Sequence, residues 1–250
     1  MKATILAIAL ALLTSAAQAA TIIGYTATTN PSSNPDGTIT YNGSGTVNVW
    51  TVGGTGGGDF SGNSADNGDN NGGGAGSTAW ALYSSTSQTR EAVHTLLGGA
   101  LSVGQAIELD FDNGYINNGA VVGLSLWNSS NQNLFEFFFT GGQASYQKND
   151  SGGTAFTGKA FTDDGFKFSF NLNSTTGYSA LLGSTALSGN LINAGDQAIT
   201  QVRVFTFNNP GPGTGDNDLF FNNLVIAPEP SRALIVLIGL SALMLRRRRA

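Results

Sequence analysis

The chain contains no cysteine, a single histidine and very little charge. Each shortage closes off a class of protein. Without cysteine there is no disulfide framework, no thiolate metal centre and no cysteine nucleophile. One histidine, His94, leaves no cluster for a transition metal, and no G-x-S-x-G turn accompanies it to suggest a serine triad. Asp, Glu, Lys and Arg make up only 11% of 250 residues, which argues against a body built of long charged helices. Glycine is plentiful at 35 residues, and phenylalanine, at 15, leads the aromatics. Frequent turns and a disulfide-free core of Phe, Val, Ile and Leu are therefore expected. Residues 21–227 hold five basic side chains against fifteen acidic ones. That balance repels phosphates, so no nucleic-acid partner is expected.

The two ends differ from the middle. MKATILAIALALLTSAAQAA opens with Lys2, continues through an apolar run from residue 5 to 13, and reaches the small-x-small pattern Ala17-Gln18-Ala19. This is the layout of a secretory signal over residues 1–19, cleaved by signal peptidase after Ala19. At the other end Pro228-Glu229-Pro230-Ser231 precedes an uncharged apolar stretch, residues 233–245, and the cluster Arg246, Arg247, Arg248 and Arg249. Thirteen residues of helix cover ~20 Å against a hydrocarbon core of ~30 Å. Such a helix is a short, temporary membrane stop, with the arginines held in the cytoplasmic headgroups. The prolines forbid helix upstream and keep the Pro-Glu-Pro segment extended.

These three parts in this order resemble the PEP-CTERM sorting signal, a tail that is also labelled an ice-binding-protein C-terminal domain. The resemblance covers residues 228–250. It implies an exported protein of a Gram-negative bacterium, processed near the Pro-Glu-Pro by the membrane transpeptidase exosortase. After transient insertion in the inner membrane, the body would pass to the cell surface or the exopolysaccharide matrix.

Residues 20–227 read as one all-β body. In QAIELDFD, residues 105–112, Ile107, Leu109 and Phe111 alternate with Glu108, Asp110 and Asp112, which sets an inward apolar face against an outward, exposed acidic one. Further short runs occur at 120–127, 133–140, 165–172, 178–182, 199–207 and 218–226, and residues 38–52 alternate in their second half. In LFEFFFTGG and GFKFSFNL, aromatics occupy both faces or nearly so. Both are expected to be central strands, with Glu136 and Lys167 facing each other. Residues 89–97, TREAVHTLL, are the best helix candidate, stopped by Gly98-Gly99. The glycine-rich stretch near 53–77 is expected to be a long mobile loop. The first strand, within residues 21–28, is expected to pair with the last. Regular strands between turn signals predict a β-sandwich or jelly roll, with a pattern that resembles concanavalin-like domains and carbohydrate-binding modules.

Candidate chemistry is sparse. Asp59, Asp66 and Asp69 match neither calcium-repeat nor EF-hand spacing, and Asp216 with Asp218 is a comparable weak calcium candidate. No metal or other cofactor is expected. Glu108-x-Asp110-x-Asp112 is similar to the E-x-D-x-E strand of retaining glycosidases. That resemblance implies Glu108 as nucleophile and Asp112 as proton donor, but Asp112 is one methylene too short for the geometry. No catalytic residue is therefore assigned. Trp50, Trp80 and Trp127 offer either a sugar-stacking surface or core. The sequence reads as an exported structural or adhesive protein without catalysis. A carbohydrate-binding module for extracellular polysaccharide is the alternative, and a retaining glycoside hydrolase follows it.

Overall fold

The computed structural model describes residues 23–25, 38–40, 46–48, 50–63, 78–97, 99–210 and 217–228. Among them every regular element is a strand. In chain order these are β1 (Ile23–Tyr25), β2 (Thr38–Thr40), β3 (Thr46–Asn48), β4 (Thr51–Gly54), β5 (Gly58–Asn63), β6 (Thr78–Tyr83), β7 (Thr89–Thr95), β8 (Gln105–Asn113) and β9 (Val121–Trp127). They continue with β10 (Asn133–Thr140), β11 (Ser145–Asp150), β12 (Gly153–Ala160), β13 (Phe166–Leu172), β14 (Gly177–Leu182), β15 (Thr185–Asn190), β16 (Gln201–Phe207) and β17 (Leu219–Pro228).

Two antiparallel sheets form a sandwich. One runs β15-β14-β13-β8-β17-β6-β5, with β1 also on β17, and the other runs β12-β11-β10-β9-β16-β7-β4. Strands β2 and β3 pair as a separate ribbon. Because successive side chains point to opposite faces, each strand sends every second residue into the interior. On β8 those are Ile107, Leu109 and Phe111, all fully buried and paired across to Phe170, Phe168 and Phe166 of β13. Facing them from the other sheet, Phe137 lies 4.9 Å from Phe111 and 4.8 Å from Phe168, centroid to centroid. Each such ring contributes about 1.5–3 kcal/mol on burial, and this aromatic layer supplies cohesion that no disulfide can give a chain without cysteine.

Strand β17 lies at the centre of its sheet. It pairs with β8 from Leu219 to Pro228, with β6 through Leu219–Phe221, and with β1 through Leu224–Ile226. The first and last strands therefore meet, as the sequence suggests. Pro228 is the final residue of β17, opposite Gln105. Residues 1–19, Glu229, Pro230, Ser231 and Arg246–Arg249 lie outside the described residues, as do Asp66, Asp69 and Asp216.

Several expectations are corrected. Residues 89–95 form β7, not a helix. Ala92, His94 and Leu96 are buried while Glu91, Val93 and Thr95 are not, so the period is two, and pairing with β4 and β16 outweighs the helix-forming Arg, Glu and Ala. Of the supposed mobile stretch, residues 53–54 belong to β4 and residues 58–63 are β5. Gly54 and Gly57 turn there with φ of 121° and 114°, where a Cβ would stand 2.1 Å from the carbonyls of Thr89 and Tyr83. Only glycine permits that approach. Glu136 and Lys167 do not face each other: they lie in different sheets. The aromatics of GFKFSFNL occupy one face only, with Lys167, Ser169 and Asn171 on the other.

Candidate functional site

The outward face of the seven-stranded sheet carries a cluster of aromatic and polar side chains. Register places these residues in rows. Gln201, Trp127 and Asn133 are cross-strand partners on β16, β9 and β10. Beside them run Val93, Arg203, Ser125 and Glu136, and then Glu91, Phe205, Gly123 and Phe138. Residues two apart on a strand share a face, so the three rows form one surface.

Arg203 is its centre. Its Nε–H donates to Glu91 Oε2 at 2.6 Å, and its guanidinium carbon lies 4.7 Å from the Trp127 ring centroid and 4.3 Å from that of Phe205. Cation–π contacts of this kind contribute about 0.5–2 kcal/mol each, and the carboxylate fixes the remaining rotation. The result is a rigid platform of two rings and a guanidinium plane. Gly123 lets the Phe205 ring settle onto the sheet, since a Cβ there would stand 2.9 Å from Phe205 Cζ and 2.6 Å from the Phe137 carbonyl. Glu136 lies on the other side of Ser125. Burial raises its carboxyl above the ordinary glutamate range, and the Arg203 charge pulls it only partly back.

Four polar atoms on this face have no hydrogen-bond partner among the described residues: Trp127 Nε1, Ser125 Oγ, Asn133 Oδ1 and Gln201 Oε1. Ser125 is fully buried. Unsatisfied buried groups cost about 1–3 kcal/mol each. Four together in adjoining rows mark a place where the surface would gain from an outside partner.

The opposite outer face carries the acidic strand. Glu108 is half-buried and accepts from Lys167 Nζ at 3.5 Å. Asp110 and Asp112 are 2% and 0% exposed, which corrects the expected exposed acidic face. Asn223, at φ 53° in the bulge of β17, turns its Nδ2 onto Asp110 Oδ2 at 2.6 Å. Phe220 of the neighbouring strand is 1% exposed opposite Asp112.

The other sequence candidates are scattered. Trp50 and Trp80 are core residues, their rings 6.3 Å apart, while Trp127 is the one tryptophan on the platform. His94 is buried against Trp50 at 5.6 Å. Asp59 pairs with Arg90 across the two sheets. Asp218 is buried beside Asn217 at the start of β17, and burial pushes its carboxyl up to about 6. No group of three His, Cys, Asp or Glu residues that could hold a metal occurs among the described residues. Arg203, Glu91, Phe205 and Gln201 escape the sequence reading. The usable signal was the outward charge in QVRVF, alternating with Val202 and Val204.

No protein-family profile and no curated protein matches the chain. Among solved structures, a Crh5 transglycosylase is similar over 86% of this chain and 87% of its own, with a TM-score of 0.49 and 8% identity. An alginate lyase from Pseudomonas aeruginosa matches over 60% of this chain and 82% of its own, with a TM-score of 0.45 and 12% identity. A sialidase matches over 62% of this chain at a TM-score of 0.47 and 9% identity, and there the chain spans only 16% of the other protein. At these values the likenesses carry no argument about activity, and the reading rests on the chain's own residues.

Proposed function

We propose that residues 20–227 form a non-catalytic polysaccharide-binding module of an exported surface or matrix protein, of the concanavalin-like or carbohydrate-binding jelly-roll type. Its binding surface is the outer face of the seven-stranded sheet. The observation that carries this reading is the Trp127–Arg203–Phe205 platform. The half-buried Trp127 ring, backed by Arg203 and rimmed by polar side chains, suits a pyranose ring, which presents C–H faces and hydroxyl edges. A structural or adhesive role and glycan binding are then one activity, since a matrix protein adheres by holding the matrix polymer.

Export and sorting belong to the same proposal. Residues 1–19 direct secretion and Ala17 and Ala19 mark the cleavage. Pro228, Glu229, Pro230 and Ser231 are presented to exosortase, and Arg246–Arg249 hold the tail until it is removed. The protein then resides at the cell surface or in the extracellular matrix. Pro228 supports this arrangement, because it ends a central strand with no spacer between the body and the motif.

Two experiments test the reading. Purified full-length protein on a glycan array is expected to bind polysaccharide, with Trp127→Ala weakening binding at least tenfold while the variant still unfolds cooperatively, its midpoint lowered only by the lost contact with Arg203. An array without hits would sink it. Mass spectrometry of the cell-envelope product is expected to find a polypeptide ending near residue 230. A product that retains Arg246–Arg249 would refute the sorting proposal.

A further inference from the structure

The polar atoms left over on the platform carry information about the charge of the ligand. We infer, resting on the polysaccharide-binding reading, that the polymer held by this face is uncharged, and that its hydroxyl groups complete the Trp127, Ser125, Asn133 and Gln201 set.

The first argument is the mixture of donors and acceptors. Trp127 Nε1–H can only donate, Asn133 Oδ1 and Gln201 Oε1 can only accept, and Ser125 Oγ does both. A sugar hydroxyl is both donor and acceptor, so one neutral sugar edge can satisfy all four. A uronate or sulfate oxygen accepts only. It can serve Trp127 and Ser125 but not the two amide oxygens, which it would face with like partial charge, so an acidic sugar can complete the set only with its carboxylate or sulfate turned away. The register keeps the set together, since Gln201 and Asn133 are the two cross-strand neighbours of Trp127, and Ser125 is two residues away on the same strand.

The second argument is charge. The charged residues on the outward face of β7, β16, β9 and β10 are Glu91, Arg203 and Glu136. Two carboxyls accompany one guanidinium. Arg203 has its Nε committed to Glu91 and its plane to Trp127 and Phe205, so it is not a free cation waiting for an anion. An acidic chain entering here meets Glu136 and Glu91 around a cation that is already neutralised. Such like-charge contact works against binding.

The test is affinity electrophoresis of the full chain through gels containing a soluble neutral glucan or mannan, or alginate or polygalacturonate, at low and high salt. Retention by a neutral polymer is expected, unchanged between about 0.05 and 0.5 M salt, since no ion pair is screened. Trp127→Phe, which keeps a ring but loses the N–H, and Gln201→Ala are each expected to weaken retention about tenfold. Glu108→Gln, on the opposite face, is expected to leave it unchanged. Retention by alginate or polygalacturonate that falls with salt overturns the inference and leaves the binding reading standing. Neutral retention untouched by Trp127→Phe and Gln201→Ala overturns the assignment of these atoms. No retention by any polymer, with a normal unfolding curve, removes the binding reading itself.

Discussion

Replacing Tyr178 by Phe removes a hydroxyl that links the two sheets. Asp150, 5% exposed at the end of β11, accepts from Tyr178 OH on β14 at 2.6 Å, from Lys148 Nζ, and from the Gly152 N–H at 2.8 Å. Lys148 also reaches Tyr178 OH at 3.3 Å. Gly189 of β15 closes over the group, because a Cβ there would stand 2.4 Å from Asp150 Oδ2. Phenylalanine at 178 keeps the ring packing on Phe135 at 4.8 Å and Phe170 at 5.2 Å, so only the hydroxyl is removed. A hydrogen bond to a charged group contributes about 1.5–3 kcal/mol. For a domain of this size that is a fall in Tm of roughly 3–12 °C.

Burial alone would raise the Asp150 carboxyl, but the bonds from Lys148, Tyr178 and Gly152 and the Lys148 charge outweigh it and hold the carboxyl below the usual range. Burial, then the Asp150 bond and charge, push the Tyr178 hydroxyl up, so it stays protonated as the donor. A carboxyl depressed in the folded state contributes stability above its unfolded pKa, near 3.9, and loses it as pH falls through the folded value. The Tyr178→Phe deficit is therefore expected to be largest at pH 7 and to shrink as pH falls below 4 toward the depressed folded value, beneath which the bond is neutral and contributes nearer to about 1 kcal/mol. Urea unfolding at both pH values, with unchanged m, measures it. A deficit under about 0.5 kcal/mol at pH 7 would refute the account, as would one that grows toward acid.

Other substitutions probe different parts of the molecule. Asp150→Ala strands a lysine ammonium and a tyrosine hydroxyl, so it is expected to cost about 3–5 kcal/mol by urea unfolding, more than Tyr178→Phe. Asp218 titrates at about 6 when folded. Stability from its protonated form is present below about pH 4 and lost as pH rises through 6, a loss of about 3 kcal/mol before solvent screening and about half that after it. Asp218→Asn should therefore raise Tm relative to wild type at pH 7.5 and not at pH 4; equal gains at both would contradict the burial. Gly123→Ala drives a Cβ into the Phe137 carbonyl and the Phe205 ring, and is expected to cost about 1–3 kcal/mol and to weaken polysaccharide binding as the platform lifts. Trp50→Ala empties a site packed against Trp80, His94 and Phe221, at about 3–5 kcal/mol in chemical denaturation.

Sequence alone determined the all-β class and the inward face of β8. Those are set by a period of two, which acts within each strand: Ile107, Leu109 and Phe111 can reach one face only if the chain is extended. Tertiary structure decided the rest. TREAVHT has the composition of a helix, and it is a strand because β4 and β16 offer it partners on both edges. The glycines at 53–62 have no side chains with which to announce a strand, and the carbonyls of Tyr83 and Thr89 select them for their lack of a Cβ. The three tryptophans look alike in sequence, but sheet register buries Trp50 and Trp80 and leaves Trp127 half-buried on the outer face. Arg203 and Glu91 are 112 positions apart in the chain. Strand period fixes which way each of them points, whereas their meeting depends on which strands lie side by side, and that is decided by packing across the whole sandwich.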